Sequence, residues 1–338
     1  MLHRTCALAS IALALSAHAP IAAAAVAQRT FVSANGSDLN ACSIGLPCRS
    51  FKAAIAQTIA GGEVIVLDSA GYGPVTITKS VSIIAPAGVY AGISVFSGDG
   101  VTVTASSTDS VTLRGLAITA QGGTNGVNFS AGGILEIDRC TISGAFTNGI
   151  EINGPLAANV LIKDSQISRV EHVSGYGIHV GGPGGEHIRL AVTDSVLSDV
   201  RAGMWVEAGA EVIVENSRFS GIPAGGGDSM HFVAYSALHS PIEAHVTNSF
   251  IQGFNNGASV DELAPFVSLS IAASELSHNQ YGVLAQRGAT IALTGNRVVH
   301  NGVAIATSPG GIVYTSGTNY SAYNGSAGDP VTGPAGLF

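Results

Sequence analysis

Short apolar alternations, not long amphipathic stretches, recur along this chain. The segments LEIDRCTIS (135–143), VLIKDSQIS (160–168), LAVTDSVLS (190–198), VIVENSRFS (212–220), LSIAASELS (269–277) and IALTGNRVV (291–299) share one order of apolar and small polar positions. VTLRGLAIT (111–119) and AHVTNSFIQ (244–252) are variants of it. Their apolar anchors, Ile118, Ile142, Ile167, Leu197, Phe219, Ile251, Leu276 and Val298, recur at intervals of 22 to 32 residues. That period belongs to a solenoid. A second motif interleaves with the first, a Gly followed by alternation: NGVNF from 125, NGIEI from 148, YGIHV from 176, AGMWV from 202, NGASV from 256, YGVLA from 281 and NGVAI from 301. In SMHFV, Ser229 stands in place of the Gly.

Strands this short bury their apolar faces only by coiling, so that each pairs with its equivalent one turn along. The predicted fold is therefore all-β, a right-handed single-stranded parallel β-helix, with like residues stacked about 4.8 Å apart. A leucine-rich repeat lacks its Leu/Asn consensus here, and a sandwich would need shorter spacings. The small polar position two before each anchor forms its own series: Cys140, Ser165, Ser195, Ser217, Ser249, Ser274, Asn296 and Asn319. Cys140 reads as a buried small residue in that stack, since buried cysteine behaves as a small hydrophobe.

The open end of such a coil invites edge pairing unless something covers it. Ser50 as a cap, Phe51, Ile55 and Ile59 at four-residue steps and Gly61 as a terminator predict a short N-terminal capping helix across 50–61. The expected organisation is a leader over 1–27, a cap with a disulfide loop and helix over 28–63, a parallel β-helix over 64–325 and a loose tail over 326–338.

Composition adds location and excludes partners. Residues 1–27 have the form of a secretory leader: Arg4, the apolar CALASIALAL, then Ala25-Val26-Ala27 before a cut. Its apolar core of about ten residues is too short for a span of roughly 20. The mature chain is expected to be secreted or periplasmic, with no membrane span. Losing Arg4 with the leader takes the formal charge from -8 to -9, which argues against nucleic acid. It also disfavours strongly anionic polymers unless a cation intervenes. Cys42 and Cys48 close a short loop, so in an oxidising compartment they are expected to form a disulfide.

In each Gly-led strand the residue after Gly points inward and the next outward. The outward column reads Asn128, Glu151, His179, Trp205, His231, Ser259, Leu284 and Ala304, and Glu207 follows Trp205 on the same face. A carboxylate, two imidazoles and the single tryptophan in consecutive coils form an aromatic plate with polar neighbours, which suits a sugar ring. Insertions in these coils, RVEHVSG, GGPGGEHIR, IPAGGGD and YSALHSPIE, offer walls. The candidate carbohydrate groove is thus Glu151, His179, Trp205, Glu207 and His231. A plain solvated sheet face is the competing reading.

No catalytic residue is assigned. Glu151 and Glu207 are expected about 10 Å apart by ladder spacing, at the edge of what glycoside hydrolysis uses. Glu171, Glu186 and Asp228 are loop carboxylates whose position the sequence leaves open. His179 and His231 are likewise about 10 Å apart, too far to share an ion, so no metal is predicted. His172, His187 and His239 sit on loops. Nucleophile elbow, phosphate loop and dinucleotide fingerprint are missing.

The stretch NACSIGLPCRSFKAAIAQTIAGGEVIVLDSAGYGPVTITKSVSI (40–83), followed by these repeats, resembles secreted bacterial right-handed parallel β-helix repeat proteins of the pectate-lyase-like superfamily. The resemblance implies the fold and is poor for activity. Polygalacturonase-like hydrolases carry paired aspartates with Gly-His-Gly and Arg-Ile-Lys elements, and this sequence has none of them. Pectate-lyase-like enzymes use Ca²⁺ held by clustered aspartates plus a basic proton acceptor, and no such cluster stands out. The expected function is contact with an extracellular or envelope polysaccharide through a groove on one sheet face. The alternatives are a polysaccharide lyase or glycoside hydrolase at that groove, and an adhesin-like structural surface protein. No cofactor is predicted; Ca²⁺ enters only with the lyase alternative.

Overall fold

A computed structural model describes residues 26–331 apart from 155–156, 171, 173, 183–186, 208, 223–225, 235–240, 263–266 and 317. The expected leader up to residue 25, the end of the tail from 332, and the loop residues Glu171, Glu186 and His239 lie outside the described residues. The chain is a parallel β-helix with three faces. Sheet 1 has 12 strands, from Ala27–Val32 to Ile312–Thr315, while sheets 2 and 3 have 11 strands each. Each coil runs from sheet 1 through sheet 3 to sheet 2, and every pairing between coils is parallel, as in Asn125–Ala131 on Asn148–Asn153 on Tyr176–Gly181.

The first repeat motif is the corner from sheet 1 to sheet 3. Arg139, Asp164, Asp194, Asn216, Asn248 and Ala273 all adopt positive φ between 48° and 51°. Asn and Asp tolerate this left-handed conformation better than most residues, which is why the corner so often reads Asp-Ser or Asn-Ser. The residue after each corner is the expected ladder. Ser165 Oγ accepts the Cys140 N–H at 3.1 Å, Ser195 Oγ that of Ser165, Ser217 Oγ that of Ser195, and the series runs on through Ser249, Ser274, Asn296 and Asn319. These buried N–H groups point along the axis, away from the sheet pattern, and each bond satisfies a donor that would otherwise be orphaned. Cys140 heads the stack, 2% exposed, and burial pushes its thiol up to about 12.

The second motif is the start of the sheet 2 strands. A Cβ on Gly149 would lie 2.6 Å from the Gly177 carbonyl oxygen of the next coil and 2.5 Å from Ile167, so this column packs too closely for a side chain. Inward neighbours fill the core: Ile150, Ile152, Ile178, Val180, Met204, Val206, Met230 and Phe232 are all 0% exposed. Full burial of such a side chain contributes about 1.5–3 kcal/mol each, and repetition coil after coil makes the stack the main source of stability.

Two boundaries differ from the sequence expectation. The helix is shorter, Phe51–Gln57, with Ser50 Oγ accepting the Ala53 N–H at 3.2 Å. Ile59 and Gly61 belong to the strand Thr58–Val66, because that segment must be extended to pair with Ala27–Val32. Phe51, Ala54 and Ile55 are the buried face covering the first coil. At the other end, strand Ser326–Gly328 pairs with Val303–Thr307, so the coil continues past residue 325. Cys42 and Cys48 are bonded, with Cα atoms 4.6 Å apart. No helix among the described residues is long and apolar enough to cross a membrane.

The last difference concerns Ala304. It is 1% exposed and faces inward, and Leu284 pairs with Ala306. The reason is a second ladder: the Asn279 N–H donates to Asn301 Oδ1 and the Asn301 N–H to Asn324 Oδ1, both at 2.9 Å. That aligns His300-Asn301 with His278-Asn279, placing Gly302 over Gln280 instead of Gly282.

Candidate functional site

On the outer face of sheet 2, Asn128, Glu151, His179, Trp205, His231, Ser259 and Leu284 are direct partners in successive coils. None of the five predicted side chains turns into the core. They are packed against one another, however: Glu151 is 8% and His231 7% exposed. The more open members are Trp205, half-buried, and Glu207, whose side chain is 32% exposed.

One imidazole organises the first half of the column. His179 Nδ1 lies 2.9 Å from Glu151 Oε2, and its Nε2 lies 3.4 Å from Glu207 Oε1. Glu151 is held in turn by the Asn148 side-chain amide, which donates to Oε2. Burial alone would lower the His179 pKa, but the hydrogen bonds and charges of Glu151 and Glu207 outweigh it and push it up to about 9. At neutral pH the ring is therefore an imidazolium donating from both nitrogens, and the trio carries one net negative charge. Glycine at 181 makes this possible. A Cβ there would lie 2.9 Å from His179 Cε1 and 3.3 Å from Glu207 Oε1.

Rings organise the second half. Trp205 stacks on His231 with centroids 4.1 Å apart and planes at 27°. Tyr176, at the start of its strand, lies 5.2 Å from both His179 and Trp205. Trp205 Nε1 donates to Glu207 Oε2 at 3.2 Å, tying plate to carboxylate. Below it, Ser259 Oγ donates to Asp228 Oδ2 at 2.7 Å and sits 2.6 Å from His231 Nδ1. Since the serine proton goes to Asp228, His231 Nδ1 carries the proton and, in the neutral ring, Nε2 is the acceptor. Ser259, Asp228 and His231 are not a nucleophile triad: Ser259 and Asp228 both address Nδ1, and Ser259 is 0% exposed.

The sequence reading thus located Glu151, His179, Trp205, Glu207 and His231 on one face but missed Tyr176 and Asn148, and left Asp228 unplaced. Tyr176 and Asn148 both precede the Gly of the second motif, a column that was legible but not followed. In chain order RVEHVSG and IPAGGGD lead from sheet 3 strands to sheet 2 strands, GGPGGEHIR and YSALHSPIE from sheet 2 strands to sheet 1 strands, and each includes residues outside those described. An open groove of about 730 Å³ lies elsewhere, beside sheet 1, lined among others by Ile134, Asn159, His187, Arg189 and Glu211. None of the five candidates lines it. Among the described residues, no three His, Cys, Asp or Glu side chains converge as a metal site.

No protein-family model matches the chain, and no curated protein matches it in sequence. Solved structures do. Pectate lyase Pel9A aligns at 16% identity with a TM-score of 0.59 over 91% of this chain and 80% of its own. The A-module of Azotobacter vinelandii mannuronan C-5 epimerase AlgE6 aligns at 15% identity with a TM-score of 0.55 over 82% of this chain and 88% of its own. The fold is therefore the pectate-lyase-like parallel β-helix.

Proposed function

We propose that the outer face of sheet 2, centred on Trp205 and Glu207, contacts an extracellular or envelope polysaccharide. The observation that carries this reading is the tie between the Trp205 ring and the Glu207 carboxylate, backed by Tyr176, His179 and His231. An indole face stacks on the apolar side of a sugar ring, while a carboxylate held beside it accepts from the ring hydroxyls. Side chains this firmly braced are pre-organised, which lowers the ordering cost of binding. Two proteins of similar fold, a pectate lyase and a mannuronan C-5 epimerase, support a polysaccharide partner. The leader-like residues 1–27 and the Cys42–Cys48 disulfide support export.

One feature favours an enzymatic version of the same reading, the His231 imidazole braced through Nδ1 by Ser259 and Asp228 next to Trp205. Hydrolysis by Glu151 and Glu207 as opposed carboxylates has no support, because both bind the same imidazole. The test is a glycan panel run with the wild type and Trp205→Ala, followed by assays for unsaturated or reducing ends. Retention that the variant loses supports the contact face, and product release adds chemistry. Retention that the variant keeps removes this face.

A further inference from the structure

Resting on that contact face, we infer that its ligand is a polysaccharide carrying free amino groups, a hexosamine polymer, and not a uronate polymer. The face presents carboxylates and acceptors almost without donors. Glu151 and Glu207 share the one imidazole of His179, Asp228 lies against His231, and Asp261 is already matched by Arg287. Arg201, at the corner before the Trp205 strand, lies against Gly226.

The proton inventory has the same bias. His179 spends both N–H groups on Glu151 and Glu207, and Trp205 spends its own on Glu207. Ser259 spends its hydroxyl proton on Asp228, and His231 Nδ1 is taken up by Ser259 and Asp228. Asn256 gives its amide N–H to Asp228 Oδ1 at 2.7 Å. A ligand that complements such a surface must donate. An ammonium group has three donors and no acceptor, and it is drawn to the faces of Trp205 and Tyr176 as well as to the carboxylates. A uronate would bring its own carboxylate against Glu207, a like-charge contact that penalises binding.

Calorimetry with soluble glucosamine oligomers, their N-acetylated counterparts and oligogalacturonates tests this at mildly acidic pH, where the amines are protonated. The glucosamine oligomer should bind about tenfold more tightly than the acetylated one, the scale of one desolvated cation–aromatic contact, and the uronate least. Trp205→Ala and Glu207→Gln should each weaken glucosamine binding. Glu63→Gln, which removes the same charge far away on sheet 1, should not, and Trp205→Phe should retain binding if stacking is the requirement. Equal binding of both hexosamine oligomers, lost in Trp205→Ala, would overturn the amino-group requirement and leave the contact face standing. Glucosamine binding that survives both site variants would be adsorption to an acidic protein and would overturn the inference. Preference for the uronate, or no binding of any of the three, would overturn it as well.

Discussion

His179 holds Glu151 through Nδ1 at 2.9 Å and Glu207 through Nε2 at 3.4 Å, so a single ring ties together carboxylates from the coil before it and the coil after. The pH dependence of this clamp has a definite sign. The folded-state pKa is raised from 6.5 to about 9, so the clamp's stabilisation is fully present below about 6.5 and is lost as pH rises through about 9. Thermal melts should therefore show a fall in Tm across that window that is larger for the wild type than for His179→Gln. Equal slopes would mean that the imidazolium is not coupled to folding.

Trp205 is the single tryptophan, so emission excited beyond the tyrosine absorption band reports on this face alone. Its indole is bonded to Glu207, which is bonded to His179. Emission should titrate with a midpoint near the His179 pKa of about 9, and the transition should vanish in His179→Gln. A titration unchanged in that variant would break the proposed chain of contacts.

Gly181→Val should separate His179 from Glu207 while leaving the coil folded, because only side-chain atoms lie in the way at 2.9 to 3.4 Å. The expected result is a shifted fluorescence titration and weakened glycan retention with a far-ultraviolet spectrum like that of the wild type. An unaltered titration would show that the clamp tolerates a side chain there.

The ladder gives a stability prediction independent of function. Ser217→Ala removes the acceptor of the Ser195 N–H and leaves that buried donor orphaned, at a cost of about 1–3 kcal/mol. Ser217→Cys should cost less, since a thiol already occupies the equivalent position at Cys140. Denaturant melts distinguish the two, and equal losses would mean that packing, not the hydrogen bond, sets the position.

The two kinds of cysteine should also separate. Cys140, 2% exposed with its thiol raised to about 12, should resist alkylation until the protein unfolds. Replacing both Cys42 and Cys48 by Ser should lower stability by about 2 kcal/mol, the chain-entropy value for so short a loop. Prompt alkylation of Cys140 in the native protein would contradict its burial.

Much of this architecture was legible because a solenoid writes its geometry as repetition. Asp164-Ser165, Asp194-Ser195 and Asn216-Ser217 spell a left-handed corner followed by a ladder serine, and each repeat confirms the last. Alternation within YGIHV and AGMWV sufficed to put His179 and Trp205 outside, because strand side chains have period 2 and Ile178 and Met204 had to go in. The same reasoning slipped at NGVAI, where Asn301 follows the Asn279 ladder and not the Gly column. It slipped also at Ile59, where pairing with the first strand overrode helical spacing.

Sequence by itself therefore determined the coil, its ladder of small polar residues, the buried cysteine and the side of the sheet on which the polar column emerges, since all of these follow from local periodicity and one repeating register. Tertiary structure alone decided that His179 faces two carboxylates at once, that Tyr176 leans over the indole and that Asp228 and Ser259 set the proton on His231. Those outcomes depend on side-chain directions and on distances of about 3 Å between coils, which a one-dimensional pattern does not contain.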